Sequence, residues 1–288
     1  MSNELAILTD EEINAFAARS GAESSGSGNF TPTLKVNYDE EDADGNEIKK
    51  GLFMVTNQDV TVYAKTVKFR PLTQHFQWMQ YDDVAKKVTN KTILVPTLFD
   101  EARDEKGTVK CGKPSSKDLK ANPALAKKYE DITTFRRVHG LVSYTGEDAK
   151  GGKHTIENMV VCLTLKGANF SPFEEEFFSK IGKARIWEYD LDLSVTREKN
   201  GASTFFVIHF STDFANKVQL NRAVFDTAVA IQENIDKSNE EIEAKYFKAL
   251  RNKDSDADAE NIMKDVSGNR PGKFSADLNA DMDDDIPF

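Results

Sequence analysis

The apolar residues of this chain follow different rules in succession. Near the start, Thr9 and Glu12 stand at capping-box spacing, and Ile13, Phe16 and Ala17 follow at helical intervals, which predicts one short helix. Residues 20–29 are rich in Gly and Ser and read as a flexible linker that closes an N-terminal segment, 1–29. From 30 to 212, short runs dense in β-branched and aromatic residues are bounded by turn signals and predict strands. These runs are 34–38 and 48–55 around an acidic turn at Asp44-Gly45, then 59–71 and 72–81, then 92–99. A hairpin of 137–145 and 154–166 closes on the loop GEDAKGGK, and another of 184–196 and 203–211 closes on Lys199-Asn200-Gly201. Between the hairpins a helix is written sharply. Ser171 is its N-cap, Pro172 its first residue, Glu174 the partner in a capping box, and Lys180 and Gly182 its end. Phe173, Phe177 and Ile181 share one face of it.

Residues 100–130 interrupt the strands with a polar, lysine-rich insertion that carries one short helix near 123–129. Helical spacing returns over 213–252, where Val224, Ile231, Ile235, Ile242 and Tyr246 lie along one stripe. That stripe either packs on the strands or joins two copies in a homodimer. Residues 253–288 turn to Asp, Asn, Ser and Gly and are expected to be disordered. The order of elements predicts a mainly β fold with added helices: an OB-fold-like antiparallel barrel with a helix between its late strands, then C-terminal helices and an acidic tail.

Charge changes the picture more than composition does. The chain carries −10, yet residues 254–288 hold ten acids against three bases, a balance of −7, so the rest carries only −3. Residues 39–47 contain six acids and no base, whereas 106–137 contain nine bases and three acids. A chain acidic in sum can still present a basic face. Cys111 and Cys162 make no CxxC pair and no disulfide framework, no apolar run approaches membrane-spanning length, and no secretory signal is read at the start. The expected compartment is the reducing cytoplasm.

The chain's last stretch is an acidic run ending in Asp283-Asp284-Asp285-Ile286-Pro287-Phe288. It closely resembles the tail tip of bacterial single-stranded DNA-binding proteins, and some phage single-stranded DNA-binding proteins similarly end in acids and an aromatic residue. The resemblance covers about eight residues and the acidic segment before them, and it does not extend to the bacterial family's N-terminal barrel motif. An enlarged, divergent body looks more like a phage replication protein in a bacterial cell than a host one. What the resemblance implies is sequence-independent binding of single-stranded DNA in replication, recombination and repair, with the tip recruiting a polymerase, helicase, nuclease or recombinase. The tip also makes sense by itself. Phe288 offers a ring and, as the last residue, a carboxylate; Pro287 stiffens the backbone, and the aspartates steer it to a basic surface.

Single strands are held by cations that track phosphates and rings that stack bases. Tyr63, Lys65, Lys68, Arg70, Phe76, Trp78, Lys86, Lys87 and Lys91 form the first such cluster. Phe135, Arg136 and Arg137 form a second, Lys113 belongs to a lysine-rich flap, and Lys153 lies at a hairpin tip. Alternation sets Phe76 and Trp78 opposite His75, Gln77, Met79 and Tyr81, and one of those faces must be core. Trp187 and Tyr189 share an apolar face with Leu191, Leu193 and Val195, which predicts core.

No catalytic constellation emerges, and no cofactor or metal is expected. Gly152 intrudes before Lys153 and His154 replaces the magnesium-binding hydroxyl of a P-loop. The turn at Asp44 matches half a calcium loop, but Gly51 stands where a bidentate Glu is needed. The alternatives to a DNA-coating protein are a competitor that carries the tip on a body without DNA affinity, and a metal-dependent nuclease built on acids such as Asp190 and Asp192.

Overall fold

The computed structural model describes residues 31–253, except Ala43, Gln58, Asp83, residues 108–115 and Ala202. The predicted N-terminal helix and linker, Lys113, the acidic tail and its tip lie outside the described residues.

The body is mainly β. Three short strands come first: β1 (Thr33–Val36), β2 (Phe53–Asn57) and β3 (Val60–Ala64), paired in an antiparallel meander. Two long strands, β4 (Val67–Asp82) and β6 (Ile132–Glu147), form the centre, with β5 (Lys87–Lys91) folded back on β4. β7 (Lys153–Leu165), β8 (Leu191–Asn200) and β9 (Ser203–Ser211) complete a sheet ordered β3-β2-β1-β7-β6-β4-β8-β9. It is mixed rather than purely antiparallel, because β1 runs parallel to β7. β3 also touches β6 at Tyr63 and Glu147, so β1, β2, β3, β6 and β7 are linked in a cycle of pairings.

Two of the predicted strands, 59–71 and 72–81, are divided elsewhere. The chain turns at Thr66 and then runs straight through Pro71. Proline has no N–H to give a ladder, but β8 stops at Phe69 and the β6 register shifts between Pro71 and Thr73, so none is demanded. Gly140 lies across from Pro71, where a Cβ would come within 2.2 Å of the Arg70 carbonyl oxygen. The predicted strand 92–99 contributes only isolated bridges, Phe76 to Val95 and Thr92 to Asp104. In the lysine-rich insertion, α1 (Ser116–Ala121) precedes α2 (Pro123–Tyr129), which is capped by the Asn122 side chain accepting from the Leu125 N–H at 3.2 Å.

The helix expected between the late strands forms, but irregularly. A π-helical turn spans Phe173–Phe177 and a 3-10 turn follows over Phe178–Lys180. Its acids serve tertiary contacts instead of a capping box. Glu174 reaches Arg136, while Glu176 accepts from the Phe210 N–H and contacts His209. Phe173 and Phe177 are fully buried in the main core with Phe53, Phe69, Leu163, Leu191 and Leu193.

The C-terminal stripe becomes one helix, α3 (Arg222–Lys253). It packs on the sheet: Ile231 and Ile235 meet Leu72 and Leu141. Asn239 brackets the backbone of Leu94, accepting from its N–H at 2.8 Å and donating to its C=O at 2.9 Å. Among the described residues, no helix is long and apolar enough to cross a membrane.

Candidate nucleic-acid interface

Sheet pairing decides which cations meet. Leu34, Val138 and Leu163 face the core and are fully buried. Their neighbours along each strand therefore face outward: Lys35 on β1, Thr164 on β7, and Arg137 on β6 opposite both Thr164 and His75. Two residues back along β6 on the same face is Phe135, whose ring centroid lies 5.8 Å from the Lys166 ammonium. Lys35 and Lys166 are exposed, and Phe135 and Arg137 are half-buried. One face of the sheet thus carries three cations, Lys35, Arg137 and Lys166, with the Phe135 ring beside Lys166, residue types that can hold phosphates and stack a base.

Other sequence candidates fall elsewhere. Trp78, at 1% exposure, and Phe76 are enclosed in a second core with Val95, Tyr129, Ile132 and Phe170, and Tyr63 is also buried. None of these three rings offers a face to a base; for Phe76 and Trp78 the reason is that the lysine-rich insertion covers one side of β4. The opposite face of β4 is covered as well, burying His75, Gln77 and Met79. Arg136 is buried between the rings of Phe76, Phe170 and Phe173, and its guanidinium donates to Glu174 at 3.0 Å. Burial pulls its pKa below the ordinary value, and the Glu174 carboxylate opposes that. Arg70 donates to the carbonyls of Trp187 and Gln219, both at 3.0 Å, and so ties the chain before α3 to the sheet.

The exposed lysines divide between distant places. Lys86 and Lys87 stand on the β4–β5 hairpin, with Lys91 half-buried at its base. Lys153 pairs with Glu147 at the far end of β6, about 50 Å of extended strand away. Lys65 is exposed, and Lys68 stands directly opposite Asp192 of β8, which offsets its charge. The loop GEDAKGGK is a turn organised by Asp148, which accepts from the N–H groups of Lys150 and Gly152 at 2.8 Å. The acidic turn is likewise organised by Asp42, whose carboxylate accepts from Asp44, Asn46 and the Asn46 side chain.

Farther along the same face of the sheet lies a buried polar row. His139 is paired with Thr73 on β4 and Cys162 on β7, next to His75 and Arg137. The Nδ1 atoms of both histidines and the Nε of Arg137 have no partner. Burial, with His75 and Arg137 adding positive charge, pushes the His139 pKa down to about 4.

Sequence reasoning missed Lys35 and Lys166: the parallel β1–β7 pairing brings Lys35 beside Arg137, and the register of the β6–β7 hairpin sets Lys166 beside Phe135. It also set Trp187 in the core with Tyr189. Tyr189, Leu191 and Leu193 are buried as expected, whereas Trp187, in a 3-10 turn at Ile186–Glu188, is only half-buried and packs against the main core and the cluster under α3. Arg185 lies over its ring at 5.7 Å. No protein-family model matches the chain, and no curated protein or solved structure matches it.

Proposed function

We propose that the body binds single-stranded DNA without sequence preference in replication, recombination or repair, and that the tail tip recruits partner proteins. The observation that carries this reading is the sheet face that carries Lys35, Arg137 and Lys166, with the Phe135 ring beside Lys166. The segregation of charge supports it too, since most of the chain's negative balance falls after residue 253. An OB-like barrel fits the cycle of pairings through β1, β2, β3, β6 and β7 and the irregular helix that follows β7.

The test is an oligo-dT titration across salt. Four to six phosphate contacts give a slope of about −3 to −4 in log affinity against log salt, which is roughly a 100-fold loss between 50 and 200 mM. Lys35→Glu with Lys166→Glu should weaken binding and flatten the slope. A wild-type protein with no measurable oligo-dT affinity sinks the reading and leaves the competitor. DNA cleavage on adding magnesium would point to the nuclease.

The tail adds a second expectation. A segment of balance −7 competes with phosphates for the same cations. Removing residues 277–288 should raise oligo-dT affinity, most at low salt, and end partner capture. Affinity unchanged at every salt concentration would remove the competition.

A further inference from the structure

The sheet has a gap along the edge of β4. β8 accompanies only Val67, Lys68 and Phe69. The next partner on that edge is Val95, which exchanges both backbone hydrogen bonds with Phe76 at 2.7 and 3.0 Å. Strand alternation turns the N–H and C=O of Gln74 to the same edge, where no strand stands opposite. The gap is walled instead by Pro96, Phe178 and Trp187, leaving a groove of about 350 Å³. A second hollow of about 410 Å³, reaching Lys217, lies beyond a ridge formed by Arg185 and Trp187. Among the residues lining it, Gln74 Oε1 has no hydrogen-bond partner, whereas the unpartnered Thr73 Oγ1 and His75 Nδ1 belong to the other face of β4, in the row with His139. An unpaired buried polar atom is costly, and at Gln74 it stands next to a backbone N–H and C=O that no strand meets.

The geometry points to a binding site for one unpaired nucleobase, stacked at the Arg185–Trp187 ridge and hydrogen-bonded along its edge to Gln74. Size, shape and chemistry agree. The groove is at the small end of ligand sites and mostly apolar, with a flat ring, a guanidinium and a few convergent polar groups. An added peptide strand fits less well, because it needs a ladder of alternate residues. Pro71 has no N–H, and the register shift beside it breaks the alternation, so Gln74 is the regular residue left with both groups turned outward. A base edge asks only for one donor beside one acceptor. Arg185 at the mouth supplies a cation for the attached phosphate. The site deepens the proposed single-strand binding and rests on it for the polymer, whereas capture of a single nucleotide stands alone.

Tryptophan emission tests it. The chain has two tryptophans, and Trp78 is enclosed, so a response to added nucleotide reports on Trp187. Thymidine monophosphate at millimolar concentration should quench the emission, deoxyribose 5-phosphate should not, and Trp187→Phe should lose the response. Arg185→Ala, at an exposed position, and Trp187→Ala should each weaken oligo-dT binding about tenfold. No response to thymidine monophosphate, or an equal response to deoxyribose phosphate, overturns the base site. Oligo-dT affinity that survives both substitutions unchanged overturns its use in strand binding while leaving the sheet-face reading intact. A nucleotide response in a protein without oligo-dT affinity does the reverse.

Discussion

Replacing Glu174 with alanine is expected to destabilise the body by about 3–5 kcal/mol, because it strands a buried positive charge. Arg136 is 2% exposed and lies 4.9–5.4 Å from the centroids of three rings, those of Phe76, Phe170 and Phe173. Among the described residues Glu174 is the carboxylate paired with it, and the Nε and Nη1 atoms of the guanidinium have no hydrogen-bond partner. Without that carboxylate the rings alone must hold the cation. Solvent reaches part of Glu174, so the lower end of the range is expected. Arg136→Met is the informative control. It keeps an unbranched side chain between the rings and removes the charge, so Arg136→Met combined with Glu174→Ala should recover most of the loss. Urea midpoints at unchanged slope measure all three variants. A loss below about 1 kcal/mol for Glu174→Ala would show that the ion pair does not hold the irregular helix to the sheet. Arg136→Met should leave oligo-dT affinity unchanged, since DNA cannot reach the guanidinium.

Acid should unfold the body earlier than its carboxylates alone require. His139 has an ordinary pKa of 6.5 and is held down to about 4 by burial, His75 and Arg137. The unfolded chain therefore binds a proton that the folded one refuses, and stability falls as pH drops from 6.5 toward about 4. A shift of that size corresponds to about 3 kcal/mol. The charged and titratable neighbours all matter to the sign. Arg137 and His75 lower the value, the buried Cys162 thiol across β7 is itself pushed up by burial and stays neutral, and Asp236 of α3 acts favourably only on His75. Burial lowers the His75 pKa as well, in the same direction. Unfolding free energies at pH 7, 5.5 and 4.5 should show a shallower decline in His139→Gln than in the parent. Equal declines would mean that His139 titrates as it does in water.

Local signals wrote the local structure. Asp148 and Gly151 set one hairpin turn and Gly201 the other, and each glycine adopts the left-handed conformation that only a turn demands, at φ values of 83° and 56°. The Val224 to Tyr246 stripe announced a helix, and its spacing was enough to say which side would be buried. The irregular helix shows where that logic stops. Ser171, Pro172 and Glu174 spell a regular N-terminus, yet Glu174 and Glu176 are drawn to partners 38 and 34 positions away, and the turn is wound loosely to let them reach.

The same division holds for function. The sequence by itself determined the separation of charge, the aromatic and cationic inventory and the acidic tip, because these are properties of residues in order. Only the tertiary structure decided which of those residues are available. A strand's alternation says that two faces exist, but not that α2 and the lysine-rich insertion cover one face of β4 and α3 packs against the other. Nor can it say that a parallel pairing carries Lys35 of β1 to the Arg137 face. Exposure and convergence are pairwise facts about segments far apart in the chain, fixed by the free energy of burying one surface against another.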